Sequence, residues 1–415
     1  MKRLFGSWIF ILVMLSVDFY VFQSLRLVTA GLPQKTRLLI HGFYWSFSVI
    51  ALLLFLFIPV FGFESIPRFI RTYVFAIVVG FFIAKIVASI FFLVDDLRRV
   101  LQWGGTKAID LAKGNGLQSG EGISRSIFLS WLGVGVGSGL FGTLLYGFGN
   151  KYKYKVEKRK VGFSNLPEPF KGLKIIHISD IHSGSLEDKK AVVKGVEKIM
   201  ELKPDIVFFT GDLVNNISTE MDPLVEVFSG IQAPMGVYSI LGNHDYGDYF
   251  QWSSKEEKSQ NLDRLKSIHA QMGWKLLLNE NVTLEKEGAS IGLIGVENWG
   301  AKANFSRYGD LKKAYAGVEQ HQFKILLSHD PSHWDAEVCK HYGDIDLMLS
   351  GHTHGMQFGV EIPGFRWSPV QYVYKQWSGL YTNGNQKLYV NRGFGFLGYP
   401  GRVGMLPEIT LLELA

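Results

Sequence analysis

Four long apolar stretches lie within the first 150 residues, at Trp8–Leu25, Phe43–Phe63, Tyr73–Val94 and Ile127–Phe148. Phe43–Phe63 carries no charge across 21 residues. A helix of that length rises about 30 Å, the thickness of a bilayer's hydrocarbon core. Any one stretch could be the buried helix of a soluble core, but four in succession argue against it. Residues 1–150 are therefore expected to form a transmembrane region with spans at about 8–25, 43–63, 73–94 and 127–148. The opening Met-Lys-Arg and first apolar run also suit a secretory leader, with Val28-Thr29-Ala30 as a weak cleavage site. Asp18 interrupts that run, which is long for a leader, so a span is the preferred reading.

Two charges sit inside these stretches. Asp18 and Lys85 fall near the middle of the first and third, and intramembrane charges are costly and usually paired, so the two are expected to meet. The fourth stretch carries Gly133, Gly135, Gly137, Gly139 and Gly142, a small-residue spacing that permits close helix contact.

Charge is unevenly distributed. Residues 1–150 hold 13 Lys/Arg against 6 Asp/Glu, and residues 151–160 (KYKYKVEKRK) hold six against one. Residues 161–415 hold 24 against 30, so the basic balance speaks for a membrane surface and no nucleic-acid partner. Residues 151–160 read as a basic juxtamembrane linker. Their charge tips the positive-inside rule toward a cytoplasmic 161–415 domain. A single cysteine, Cys339, excludes an internal disulfide framework and suits a reducing compartment.

Beyond Lys160 the pattern changes to short strand-like runs separated by turns: Leu173–Ser179, Ile206–Thr210, Val237–Leu241, Ile291–Val296, Phe323–Ser328 and Ile345–Ser350. Glu187–Lys203 is apolar at Val192, Val193, Val196, Ile199 and Met200, an amphipathic helix between the first two runs. Strand–helix–strand order predicts a layered α/β domain. Tyr246–His269 reads as an insertion or lid.

Five of these strands end in metal-ligand residue types. Asp180 and His182 follow the first, Asp212 the second, Asn243-His244-Asp245 the third, His329 the Phe323–Ser328 run, and His352 and His354 the last. Each cluster alone is as well explained by a cap or turn. Together they converge, because ligand sites gather at the carboxyl ends of strands in open α/β sheets. Mixed oxygen and imidazole donors suit Mn, Fe or Zn better than Mg. Seven ligands with one bridging carboxylate are what two divalent metal ions need to hold a hydroxide and clamp a phosphoryl group.

The order D-x-H, GD, GNHD, H, GHTH resembles the calcineurin-like metallophosphoesterases, over essentially all of residues 172–415. The resemblance implies an α/β four-layer sandwich, two central β-sheets flanked by helices. It implies that Asp180, His182, Asp212 and His354 bind one metal and that Asp212, Asn243, His329 and His352 bind the other. His244 would contact the phosphate and protonate the leaving group, with Asp245 orienting its imidazole; an imidazole held by a carboxylate is also sound general-acid chemistry. The stretch Asn391–Thr410 is similar to the ending of a bacterial membrane-associated branch, which commonly has Gly-Gly-Gln after GHTH. Here Met356 replaces the second glycine, which bears on substrate fit. Arg392 and Arg402 are candidates to bind phosphate or a lipid head group, or to pair with the acidic domain.

These readings converge on an integral membrane hydrolase of the bacterial inner membrane. It would cleave a phosphoester or pyrophosphate bond, with the substrate a membrane phospholipid or lipid precursor such as a UDP-linked diacylglucosamine. A phosphodiesterase or phosphatase on a soluble substrate is the alternative. A catalytically silent scaffold would predict missing ligands, and none is missing.

Overall fold

The computed structural model describes residues 2–61, 66–112, 124–302 and 305–415. Residues 62 and 63, the end of the second expected span, lie outside them. Two compact units divide between Tyr146 and Gly147.

The first unit is built on α1 (Lys2–Val28), α2 (Gln34–Phe61), α3 (Phe75–Ala112) and α4 (Ile127–Gly147). All four are long and apolar enough to cross a membrane. The 38 residues of α3 rise about 57 Å, well beyond a hydrocarbon core, so its charged second half extends past the apolar zone. In the apolar half, Lys85 Nζ lies 2.6 Å from Asp18 Oδ1, and Ser48 donates to Asp18 Oδ2 at 2.5 Å. All three side chains are buried. Further along α3, Asp96 accepts from Tyr20 at 2.7 Å and pairs with Arg125 at 3.2 Å. Asp95 accepts from the Ser126 amide at 2.8 Å, which ties down the start of α4. The glycines of α4 divide by face. A Cβ on Gly137 would meet the Ala84 carbonyl at 2.9 Å and one on Gly133 the Phe92 ring at 2.5 Å. Gly135, Gly139 and Gly142 face open space among the described residues.

In the second unit the strands are β1 (Lys155–Val161), β2 (Lys174–Ile178), β3 (Ile206–Phe209), β4 (Val237–Ser239) and β5 (Trp274–Leu276). There follow β6 (Glu280–Lys286), β7 (Ala289–Gly295), β8 (Lys324–Leu327), β9 (Leu347–Ser350), β10 (Val360–Ile362) and β11 (Phe365–Trp367). Last come β12 (Gly379–Asn383), β13 (Gln386–Val390) and β14 (Glu408–Leu414). They form two six-stranded sheets, β1-β14-β2-β3-β4-β5 and β12-β13-β9-β8-β7-β6, and a separate β10–β11 hairpin.

Side-chain alternation along the strands builds the layers. Ile175, Ile206 and Phe208 of one sheet pack with Leu293, Ile325 and Leu349 of the other in a single buried core. The alternate residues Ile176, Val207 and Phe209 face outward against Val192, Val196 and Ile199 of α5 (Lys189–Glu201) and Leu265 and Ile268 of the helix Lys255–Gln271. On the far side Ile294, Leu326 and Met348 pack under Leu311, Trp334 and Val338. Helix, sheet, sheet, helix is the four-layer order.

One expectation is corrected. Most of the segment read as a basic linker is β1, which pairs in parallel with β14 from Lys155↔Glu408 to Val161↔Leu414. Its exposed lysines and arginine lie on an edge strand, where charge guards the open edge. Six cations in ten residues hid the strand.

Candidate metal centre

Each expected ligand sits just past a strand. Asp180 and His182 follow β2, Asp212 follows β3, Asn243 follows β4, His329 follows β8, and His352 and His354 follow β9. Neighbouring strands β2, β3 and β4 are parallel, as are β7, β8 and β9, so their carboxyl ends share one rim. The turns off these strands are sharp. Asp180, His182, Asp212, His352 and His354 all have positive φ, between 48° and 70°. Non-glycine residues rarely adopt that conformation, and where they do it is commonly at a functional site held by its surroundings. Gly211 is required for the same reason: at φ 92° a Cβ would strike the Gly242 amide at 2.4 Å.

Two ligand groups result. In one, the Nε2 atoms of His182 and His354 are 3.0 Å apart, and His354 Nε2 lies 3.3 Å from Asp180 Oδ1. In the other, His329 Nε2 lies 3.2 Å from Asp212 Oδ2 and 3.2 Å from Asn243 Oδ1, which is 2.9 Å from His352 Nδ1. The titratable donors of each group, Asp180–His182–His354 and Asp212–His329–His352, fall within 4.8 Å of one another. Asp212 Oδ2 is also 3.5 Å from His182 Nε2, so one carboxylate oxygen borders both groups.

The donor set fits cations. Two imidazole nitrogens and a carboxylate oxygen crowd together in a buried space where hydrogen bonding alone cannot satisfy every lone pair. Burial lowers the His329 imidazole, yet the Asp212 carboxylate overrides burial and lifts it to about 10, the mark of a strongly negative site. His329 Nδ1 is 2.7 Å from the Thr210 carbonyl, an outer bond that turns Nε2 toward the centre. His352 is oriented likewise by Tyr374, whose hydroxyl lies 3.0 Å from Nε2, leaving Nδ1 for the centre.

Two expected roles change. Asp245 does not orient His244. Its carboxylate accepts from the amides of Asp212 (2.8 Å), Leu213 (2.8 Å), Val214 (3.2 Å) and Gly242 (2.8 Å), clasping the two ligand loops together. His244 is oriented instead by the Asn215 carbonyl, 2.7 Å from Nδ1, which leaves Nε2 for proton transfer. The Asn215 loop is pinned in turn by Glu220, which accepts from the Asn215, Asn216 and Ile217 amides. Arg392 is the second correction. It is buried and pairs with Glu408 (2.5 Å), Glu361 (2.7 Å) and Glu157 (3.1 Å), so three carboxylates occupy the guanidinium expected to take a phosphate. Arg402 is structural too, donating to the carbonyls of Arg392 (2.8 Å), Gly393 (3.2 Å) and Met405 (3.3 Å) beneath His354.

The sequence did not single out Asn215, Glu220, Tyr249 or Tyr374. Tyr249 lies in the segment read as an insertion or lid. Its hydroxyl accepts from Asn243 at 2.9 Å, and its ring is 4.7 Å from that of His244.

Comparisons with known proteins show the family. A family model described as a probable calcineurin-like phosphoesterase, transmembrane domain, matches residues 2–150, and one for calcineurin-like phosphoesterases matches residues 173–356. The uncharacterized metallophosphoesterase YkuE of Bacillus subtilis is 30% identical over 295 residues, spanning 66% of this chain and 95% of that protein. The chain belongs to the calcineurin-like metallophosphoesterases. A Danio rerio transmembrane protein with metallophosphoesterase domain is 30% identical over 266 residues, covering 63% of this chain and 57% of its own length. The UDP-2,3-diacylglucosamine pyrophosphatase LpxG of Chlamydia trachomatis is 28% identical over 303 residues, covering 60% of this chain and 86% of that protein. This metallophosphoesterase is thus a membrane protein and a metal-dependent phosphoric ester hydrolase.

Proposed function

We propose that this metallophosphoesterase hydrolyses a phosphoester or pyrophosphate bond of a lipid-linked substrate at a two-metal site. The observation that carries the reading is the pair of ligand groups joined through Asp212 Oδ2. Asp180, His182, Asp212 and His354 would hold one ion, and Asp212, Asn243, His329 and His352 the other. The mixed N/O donors favour Mn, Fe or Zn. Two such ions would supply Lewis acidity and charge neutralisation at the phosphoryl group. His244, acting from its doubly protonated form, gives the Nε2 proton to the leaving oxygen, while its Nδ1–H donates to the Asn215 carbonyl and holds the ring in place. Tyr249 packs against that ring and steadies the Asn243 amide, fixing a ligand and the acid together.

Four membrane-competent helices and a lipid-precursor pyrophosphatase among the relatives support a lipid-linked substrate. The basic 151–160 segment supports a cytoplasmic catalytic unit in a bacterial inner membrane. Detergent-purified full-length protein loaded with Mn²⁺ is expected to cleave UDP-diacylglucosamine or a related lipid phosphoester faster than a soluble chromogenic diester. His244→Ala should cut turnover about 10²–10⁴-fold while keeping both ions. Full metal occupancy with no hydrolysis across a phosphoester panel would overturn the enzyme reading; preference for the soluble diester would overturn only the lipid assignment.

A further inference from the structure

The β10–β11 hairpin has two unlike faces. Val360 pairs with Trp367 and Ile362 with Phe365, while Glu361 pairs with Arg366. Alternation puts Val360, Ile362, Phe365 and Trp367 on one side and the charged pair on the other. The charged side is fastened down: Glu361 is 2.7 Å from Arg392 and 3.1 Å from Lys155. The apolar side is left to solvent, with Val360 43%, Ile362 58% and Phe365 54% exposed. Because the root is held by ion pairs, the hairpin cannot roll over to bury that face. Soluble surfaces seldom keep such a patch without a partner.

The root of the hairpin says what the partner is. Phe358 bridges to Val403, and the Gly359 amide donates to the Val403 carbonyl at 2.9 Å. The same loop holds Gly147, the first residue of the second unit: the Arg402 amide donates to its carbonyl at 2.9 Å, and a Cβ on Gly147 would lie 2.7 Å from Val403 Cγ2. Gly147 is the final residue of α4. The apolar face is therefore rooted within a few residues of the point where the chain leaves the hydrophobic helix. Aromatic residues beside such an exit favour the membrane–water interface. We infer that the β10–β11 hairpin is an interfacial wedge that inserts Ile362 and Phe365 into the lipid leaflet from which the chain emerges at Gly147. It rests on α4 spanning a bilayer and not on any substrate assignment.

The test uses full-length Cys339→Ser protein in nanodiscs holding one chain each, labelled with the fluorophore NBD at Phe365→Cys. Label at the exposed turn residue Glu287→Cys, on the opposite edge of the second sheet, is the control. The wedge predicts blue-shifted emission at position 365, quenching by doxyl-labelled lipid and protection from iodide, with the reverse at 287. Ile362→Cys should behave as 365 does, guarding against a local effect of the first substitution. Iodide quenching at 365 without doxyl quenching overturns the inference. So does a blue shift seen only when two chains share a disc, which would make the face a contact between copies. The readout needs no turnover, so it stands or falls apart from the phosphoesterase reading.

Discussion

Asp245 holds four backbone amides with one buried carboxylate, and no neutral side chain of its size can do the same. An amide in its place offers a single acceptor oxygen and turns an N–H₂ toward backbone donors. Asp245→Asn is thus expected to destabilise the catalytic unit by about 2–3 kcal/mol, as loss of charge-assisted hydrogen bonds does. It should lower metal occupancy in step, read by thermal melting and metal analysis. A changed pH–rate profile at full occupancy would instead restore a catalytic role. Arg392 is argued the same way. Arg392→Met strands three carboxylates, one fully buried, and breaking a buried pair from one side costs about 3–5 kcal/mol. Lowered melting with unchanged KM in the surviving fraction is the expected result. These two residues also mark the limit of sequence reasoning. The convergence of the expected ligands was legible because each falls at a strand's end with a distinctive side chain. The hold on His244 was not, because a main-chain carbonyl provides it and any residue at position 215 has one. Arg392 misled because a lone arginine near a motif looks the same whether it meets phosphate or glutamate.

At the level of elements, the helices of the first unit carry two separable predictions. Lys85→Leu leaves the Asp18 carboxylate with only Ser48 among the described residues, in an apolar interior, so detergent-solubilised protein should melt lower. Adding Asp18→Leu should recover much of the loss, since an apolar pair of similar volume often replaces a buried ion pair without penalty. A double variant whose loss equals the sum of the losses of Lys85→Leu and Asp18→Leu alone would mean the contact contributes nothing. The glycines of α4 give the second. Gly137→Leu must push its side chain into the Ala84 carbonyl, and overpacking of this kind costs about 1–3 kcal/mol. Gly135→Leu points into open space and should be tolerated. The helices themselves were evident from their apolar length, and Asp18 and Lys85 announced their pairing by being costly apart. Which glycine face meets α3 was hidden, since the 133/137 and 135/139 spacings look alike until the helix is turned.

For the molecule as a whole, the two-sheet sandwich makes the ligand rim a joint product of both sheets. Removing the ions should leave like charges and lone pairs crowded in a buried space. Dialysis against a strong chelator is expected to abolish hydrolysis and lower the melting temperature of the catalytic unit, with both restored by Mn²⁺. A melting temperature that ignores chelation would show that the site needs no cation for its shape. Strand–helix alternation exposed the layering because each buried strand shows itself by its apolar run. The place of β1 was concealed by its charge, and that of β14 by the 229 residues, 179–407, separating it from β2.

That late strand has a consequence for how the protein is made. β14 lies between β1 and β2, hydrogen-bonded to each, so the first sheet is split until residues 408–414 arrive. Asp180 and His182 follow β2, and their loop also leans on the stretch that leads into β14, through the Phe394 and Gly395 amides, each 2.8 Å from a Ser179 or Asp180 carbonyl. During synthesis the four apolar helices emerge before the second unit and can enter the bilayer while that unit is still an open chain. Completion of the first sheet, and with it of the ligand rim, therefore waits until residues 408–414 have been made, after all four apolar helices.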